Sequence, residues 1–134
     1  MQECTSYLWT IPYLDTHVVA WLYAGRTDLL PQRVRRLLNE EEPLISPMVT
    51  LELQYLFEIG RTAEPAMPVV EALRESIGLE VCDLSFAQVV ARSLSENWTR
   101  DPFDRLIVSQ AAVRASRLLT KDAAIQQNYS EAVW

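Results

Sequence analysis

Histidine, cysteine, glycine and lysine are all scarce in this sequence, and each scarcity removes a class of function. The one histidine, His17, lies just inside an expected helix and reads as a surface or dipole-perturbed residue rather than a catalytic base. With no His to pair with a Ser or Cys, nucleophilic hydrolase machinery is missing. The 2 cysteines, Cys4 and Cys82, are too few and too far apart for a disulfide framework or a zinc site, and no CxxC occurs. Cys82, within Leu79-Glu-Val-Cys-Asp-Leu84, reads as a small core residue. With only 3 glycines there is no Gly-rich phosphate loop. No apolar run approaches the ~18 residues of a membrane span; the longest useful one is Val18-Val-Ala-Trp-Leu-Tyr-Ala24. The first residues lack the basic start and apolar stretch of a signal peptide, so the cytoplasm is the expected location.

What is present describes a globular enzyme-sized chain. Its 134 residues, 49% of them hydrophobic and 22% charged, suit a single domain with a real core. The formal net charge of −6 argues against a sequence-independent nucleic-acid binder, which is usually basic. It leaves room for an enzyme that holds a phosphate backbone through metal ions and a few cations. It fits a basic protein partner at least as well. All of the basic residues but Lys121 are Arg. Arg is the better fork for phosphate, although genome composition explains the bias equally well.

Short apolar strands alternate with longer helical stretches. Strands are expected at 10–14, 44–46, 79–84 and 117–120, with 132–134 as an edge strand. Helices are expected at 16–24, 29–42 (closed by Pro43), 47–59 (Gly60 as its cap), 69–77 (stopped by Gly78), 85–97 and 102–116. A short helix follows Asp122, and neither an internal repeat nor a linker is visible. Such interleaving implies βαβ units, right-handed crossovers and a mostly parallel sheet covered on both faces. Ligands of such sheets bind beyond the carboxyl ends of the strands, where Asp15 and Asp122 are placed.

Four acids are awkwardly sited. Asp15 and Asp122 each end an apolar run, and Asp101 precedes Pro102 at a helix start. N-capping explains each of these taken singly, and the helix dipole favours Asp104 in a first turn. Glu52 is different. Its helical neighbours are Met48, Val49, Tyr55, Leu56 and Ile59, an apolar stripe without a cation. Asp104 has Ile107, Val108 and Ala111 on its own stripe. Isolated buried carboxylates are costly unless paired or bound to metal, so Asp15, Glu52, Asp104 and Asp122 together suggest a shared site for Mg²⁺ or Mn²⁺. A cation held there suits the in-line hydrolysis of a phosphodiester.

These residues carry a family likeness. Tyr13-Leu-Asp-Thr-His-Val-Val-Ala-Trp21, Ser46-Pro-Met-Val-Thr-Leu-Glu-Leu53, Arg100-Asp-Pro-Phe-Asp-Arg-Leu-Ile107 and Leu118-Leu-Thr-Lys-Asp122 resemble the PIN-domain proteins, and among them the VapC-type toxins of type II toxin–antitoxin pairs. The resemblance spans residues 10–134, its most specific part being the third segment followed by the fourth. It implies a three-layer α/β/α sandwich around a parallel sheet of four or five strands. It implies that Asp15, Glu52, Asp104 and Asp122 bind Mg²⁺ or Mn²⁺ and hydrolyse RNA with metal-activated water, leaving 5′-phosphate and 3′-hydroxyl ends. Asp101 matches an extra acid that assists the metal site, and Thr16 and Thr120 match hydroxyl positions beside the quartet. Arg100, Arg105 and Lys121 are candidates to hold the RNA backbone, with structural ion pairs as the equal alternative. The resemblance further implies a homodimer held inactive by a cognate antitoxin, and no membrane association. Two departures stand out: residues 1–9 extend beyond the usual start, and Thr50-Leu51 replaces a common Ser-Trp pair before the Glu.

Two rivals remain open. A non-catalytic PIN-like module would bind RNA or a partner without turnover. A receiver-like phosphoacceptor domain would place paired acids after the first strand, where this chain has the single Asp15, and a lone Asp at the end of the third, where Asp83 follows Cys82 inside the strand.

Overall fold

A computed structural model describes residues 11–134. Thr10, Cys4 and the extension at 1–9 lie outside the described residues. Within that span the chain forms five short strands and seven α-helices: β1 (Tyr13–Leu14), α1 (Thr16–Tyr23), α2 (Gln32–Glu40), β2 (Leu44–Ile45), α3 (Pro47–Glu58), α4 (Ala66–Ile77), β3 (Glu80–Val81), α5 (Phe86–Ser93), α6 (Pro102–Ala112), β4 (Leu118–Leu119), α7 (Ala123–Asn128) and β5 (Ala132–Val133). All strand pairings are parallel, in the spatial order β3-β2-β1-β4-β5. Successive strand residues face opposite sides of a sheet. Tyr13 and Leu14 are both buried, as are Leu118 and Leu119, so helices cover both faces of the sheet. The α/β class and the five parallel strands agree with the expectation from the sequence.

The chain fills the sheet from β1 outward to β3, then returns to the other side of β1 for β4 and β5. This reversal is a topological switch point, and loops diverging there leave a crevice at the carboxyl ends of β1 and β4. The register Leu14↔Leu119 places the residues that follow, Asp15 and Thr120, at that crevice. Backbone bonds carry the pairing past the assigned strands: Asp15 N–H donates to Leu119 O, and Thr120 N–H to Val133 O.

Helix boundaries moved where local chemistry overrode the hydrophobic pattern. The helix expected from Leu29 starts at Gln32, because Pro31 holds the extended entry geometry and a 3₁₀ turn occupies Thr27–Leu29. The helix expected from Val69 starts at Ala66 behind Pro65, and Pro68 fits within the first turn, where its missing N–H costs nothing. The helix from Ser85 stops at Ser93 rather than Asn97, with Arg105 bonding the Ser93 carbonyl at 3.1 Å. The helix from Pro102 stops at Ala112 rather than Ser116, since Ala115 takes φ +52° and Ser116 N–H returns to Ala111 O. The strands are shorter than expected at every position. Gly60 (φ +80°) follows α3 and Gly78 (φ +74°) caps α4, both in the left-handed region that favours glycine. No helix among the described residues is long and apolar enough to cross a membrane.

Candidate functional site

Three secondary-structure junctions and one mid-helix position deliver the acids to the carboxyl end of the sheet. Asp15 links β1 to α1, Asp122 links β4 to α7, Glu52 lies in α3, and Asp101 and Asp104 open α6. Three of them cap helices, as the local sequence indicates. Asp15 Oδ1 accepts from Thr16 N–H at 2.8 Å, Asp101 Oδ1 from Phe103 N–H at 2.8 Å, and Asp122 Oδ1 from Ile125 N–H at 3.0 Å. Each cap engages one carboxylate oxygen, and a carboxylate has about four acceptor sites, so capping and a role at the crevice are compatible.

Two buried threonines aim the acids. Thr120, 0% exposed, donates its hydroxyl proton to Asp15 Oδ2 at 2.6 Å and accepts from Asp122 N–H at 3.0 Å. One hydroxyl therefore ties the ends of β1 and β4 together. Thr16, also buried, donates to Glu52 Oε1 at 2.5 Å and so joins α1 to α3. Both hydroxyls, placed in the sequence among candidate substrate-binding residues, hydrogen-bond carboxylates here. The three cations suggested for RNA binding are differently engaged. Arg105 bonds the Ser93 carbonyl, Arg100 donates to the Asn97 carbonyl at 3.1 Å, and the Lys121 ammonium lies 5.8 Å over the Trp21 ring.

The electrostatics bring all five acids into one field. Burial pushes the Asp104 carboxyl up to about 7, and the negative charges of Asp101, Asp15, Asp122 and Glu52 push in the same direction. Glu52 is also raised, by burial first and then by Asp15 and Asp101, against the Thr16 hydrogen bond that lowers it. Among the described residues, none of the five pairs with Arg or Lys. Glu96 provides the contrast. This buried carboxylate meets Arg92 at 2.6 Å and the Trp98 indole N–H at 2.6 Å, so its charge is accounted for structurally. A set of hard oxygen donors without a protein cation is what Mg²⁺ or Mn²⁺ prefers, and in that chemical sense the residues fit such an ion. Among the described residues, however, no three such side chains meet closely enough to form a ready-made metal cage. The acids share a charged basin rather than a closed ligand set.

His17 has a role that its sequence context concealed. It is half-buried rather than at the surface, and its Nε2 accepts from the Lys121 backbone N–H at 2.9 Å. That bond places the ring proton on Nδ1, which faces Asp15 Oδ2 at 3.6 Å. Burial lowers the His17 pKa against the pull of Asp15 and Asp122, favouring the neutral ring that the Lys121 bond requires. The ring also packs edge-on against Trp21 and Trp134, with centroids 5.1 and 6.1 Å away. His17→Phe should keep this packing, cost about 1 kcal/mol, and speed amide exchange at Lys121 while leaving α5 amides unchanged. Unaltered Lys121 exchange would remove His17 as a clamp between the strand ends.

The sequence model of the PIN domain, a class whose members are in general nucleases, matches residues 13–130. Two solved structures share the fold. One, the crystal structure of VapBC2 from Rickettsia felis bound to a DNA fragment from their promoter, aligns with TM-score 0.66 and 20% identity, covering 92% of this chain and 96% of that one. The other, a toxin–antitoxin complex from Klebsiella pneumoniae, aligns with TM-score 0.61 and 15% identity over the same shares. No curated protein sequence matches. With the domain model running from β1 to the residues just before β5 and the five-stranded parallel fold in agreement, the chain belongs to the PIN-domain family.

Proposed function

We propose that the chain is a Mg²⁺- or Mn²⁺-dependent endoribonuclease acting as the toxin of a toxin–antitoxin pair in the cytoplasm. The observation that carries this reading is geometric: Thr120 and Thr16 tie Asp15, Glu52 and the backbone of Asp122 together beyond the carboxyl ends of β1 and β4, and none of the five acids pairs with Arg or Lys among the described residues. When bound, the metal would activate water and neutralise charge on the scissile phosphate. Asp15, Glu52, Asp104 and Asp122 would hold it, and Asp101, exposed at the rim, would orient water around it. Thr120 fixes the Oδ2 oxygen of Asp15, and Thr16 fixes one oxygen of Glu52. Arg100 and Lys121, both exposed, are the cations proposed for the RNA backbone at the crevice, with the partly buried Arg105 as a third. A cognate antitoxin is the proposed protein partner and a homodimer the proposed assembly. The toxin–antitoxin complexes with this fold support the partner.

Total RNA incubated with the protein in Mn²⁺ should be cut, and chelator or Asp15→Asn should stop the cutting with the fold intact by circular dichroism. RNA binding without cleavage in any divalent ion would favour the non-catalytic module. Chelator-insensitive nuclease activity retained in Asp15→Asn would overturn the site assignment.

A further inference from the structure

Two aromatic rings stand beside the acids, and no hydrolytic step uses them. Tyr55 lies one turn beyond Glu52 on α3, and Phe103 immediately precedes Asp104 in the first turn of α6. The two helices pack together, and the rings stack with centroids 6.3 Å apart and planes 24° apart. Tyr55 is 49% exposed, and among the described residues its hydroxyl has no protein hydrogen-bond partner.

We propose that Tyr55 and Phe103 form a stacking ledge for an unpaired nucleobase next to the scissile phosphate. The inference rests on the ribonuclease reading of the neighbouring acids. Single-stranded RNA is held by bases splayed onto aromatic side chains, and the helices that carry Glu52 and Asp104 also carry this pair. The acidic surroundings repel a polyanion, which raises the weight of uncharged contacts in any RNA complex. Binding to a polyanion ordinarily draws on Lys and Arg, whose contacts release counterions. Here the basin is acidic and the net charge is −6. The one lysine has its ammonium over Trp21, and Arg105 is bound to the Ser93 carbonyl. Beyond the exposed Arg100 and Lys121, affinity for RNA then draws on uncharged contacts, and base stacking is one that tolerates varied sequence. The free Tyr55 hydroxyl adds one donor and acceptor at the edge of a stacked base.

The probe is a fluorescein-labelled single-stranded RNA 12-mer. Its binding is read by anisotropy in chelator, and its cleavage by steady-state kinetics in Mn²⁺. Tyr55→Ala should weaken binding roughly 10-fold or more and raise KM with little change in kcat, while Tyr55→Phe stays within about threefold of wild type. Phe103→Leu should fall between them. An abasic site next to the cut should erase the difference between wild type and Tyr55→Ala. The salt dependence of binding should be shallow, a log–log slope of about −2 or less in magnitude. If Tyr55→Ala binds and cuts like wild type, the ledge is wrong and the ribonuclease reading survives. If wild type binds the 12-mer with this Tyr55 dependence but never cuts it, the catalytic reading fails and the ledge stands. If wild type neither binds nor cuts, both fail. A Tyr55→Ala chain that sediments as a smaller species, with RNA binding unchanged, would assign the rings to contact with a second copy.

Discussion

Replacing Asp104 with Asn should abolish Mn²⁺-dependent RNA cleavage, by about 10³-fold or more, and at the same time make the protein more stable at pH 8. The two effects share a cause. In the folded chain the Asp104 carboxyl is raised from 3.8 to about 7, by burial first and then by four surrounding carboxylates. A folded state that holds a proton more tightly than the unfolded state loses stability as pH rises between the two values. The cost is therefore absent below pH 4, grows through the interval, and is complete above pH 7. A tenfold difference in proton affinity corresponds to about 1.4 kcal/mol, so a rise from 3.8 to about 7 would cost about 4 kcal/mol unscreened; Asp104 is only half-buried, and solvent screening reduces this to about 1–2 kcal/mol. Asn carries no charge and should raise the melting temperature by about 3–6 °C at pH 8. At pH 5 Asp104 is mostly protonated in the folded chain but mostly ionised in the unfolded one, so the cost is only partly developed and the difference should narrow. Mn²⁺ should stabilise wild type by mass action and stabilise the variant far less. Thermal melts at pH 5 and pH 8, with and without Mn²⁺, alongside a cleavage assay, test all of this. An Asn variant that still cuts RNA, or whose stability gain is the same at both pH values, would sink this account of Asp104.

The sequence carried the architecture because its signals are local. Apolar runs of strand length, Pro and Gly at helix ends, and Asp or Ser at helix starts specify β1 to β5 in order, and Asp101 and Asp122 cap as their neighbours suggest. Boundaries slipped where a single residue overrode periodicity, as at Pro31 and at Ala115 with its positive φ. The candidate acids were legible for a different reason. A carboxylate without a cation on an apolar stripe is a conflict that the sequence itself displays. Yet the stripe around Glu52 is only partly core. Val49 and Leu53 are buried, while Tyr55 and Ile59 are 49% and 48% exposed, so apolar spacing cannot separate a core face from a cleft face. Periodicity likewise gave no warning of Glu96, a buried acid whose partners Arg92 and Trp98 lie four and two residues away.

Contacts across the switch point were the least legible part of the site. The Thr120–Asp15 bond joins residues 105 apart in sequence, and the Lys121–His17 bond joins residues 104 apart. Both depend on β1 and β4 being neighbours, which no local pattern encodes. Thr120 and Thr16 stand out in the sequence only as hydroxyls matched to a family pattern. Their hydrogen bonds show what a hydroxyl at each place does.

Thr120→Val tests that role most sharply, because Val keeps the shape of the side chain and removes only the hydroxyl. The loss strands two groups at once. Asp15 Oδ2 loses its 2.6 Å donor, and the Asp122 N–H loses its 3.0 Å acceptor. Bonds to charged groups contribute about 1.5–3 kcal/mol, and the orphaned amide adds to the cost. A net destabilisation of about 2–3 kcal/mol is expected. The activity should fall further than the stability. Without the hydroxyl bridge, the carboxylates after β1 and β4 are restrained only by their cap bonds to Thr16 and Ile125, and residues that orient a metal's ligands typically affect affinity or rate by about 10–100-fold. The apparent Mn²⁺ affinity should drop by that factor, read from Mn²⁺-dependent thermal shifts as well as from cleavage. Thr120→Ser retains the hydroxyl but gives up a buried methyl, so it should lose about 1 kcal/mol of stability and keep Mn²⁺ affinity within about threefold of wild type. The separation between these variants carries the test. Equal Mn²⁺ affinity in Val and Ser would reduce Thr120 to a packing residue, whereas loss in Val alone identifies its hydroxyl as the element that holds the two strand-end carboxylates in register.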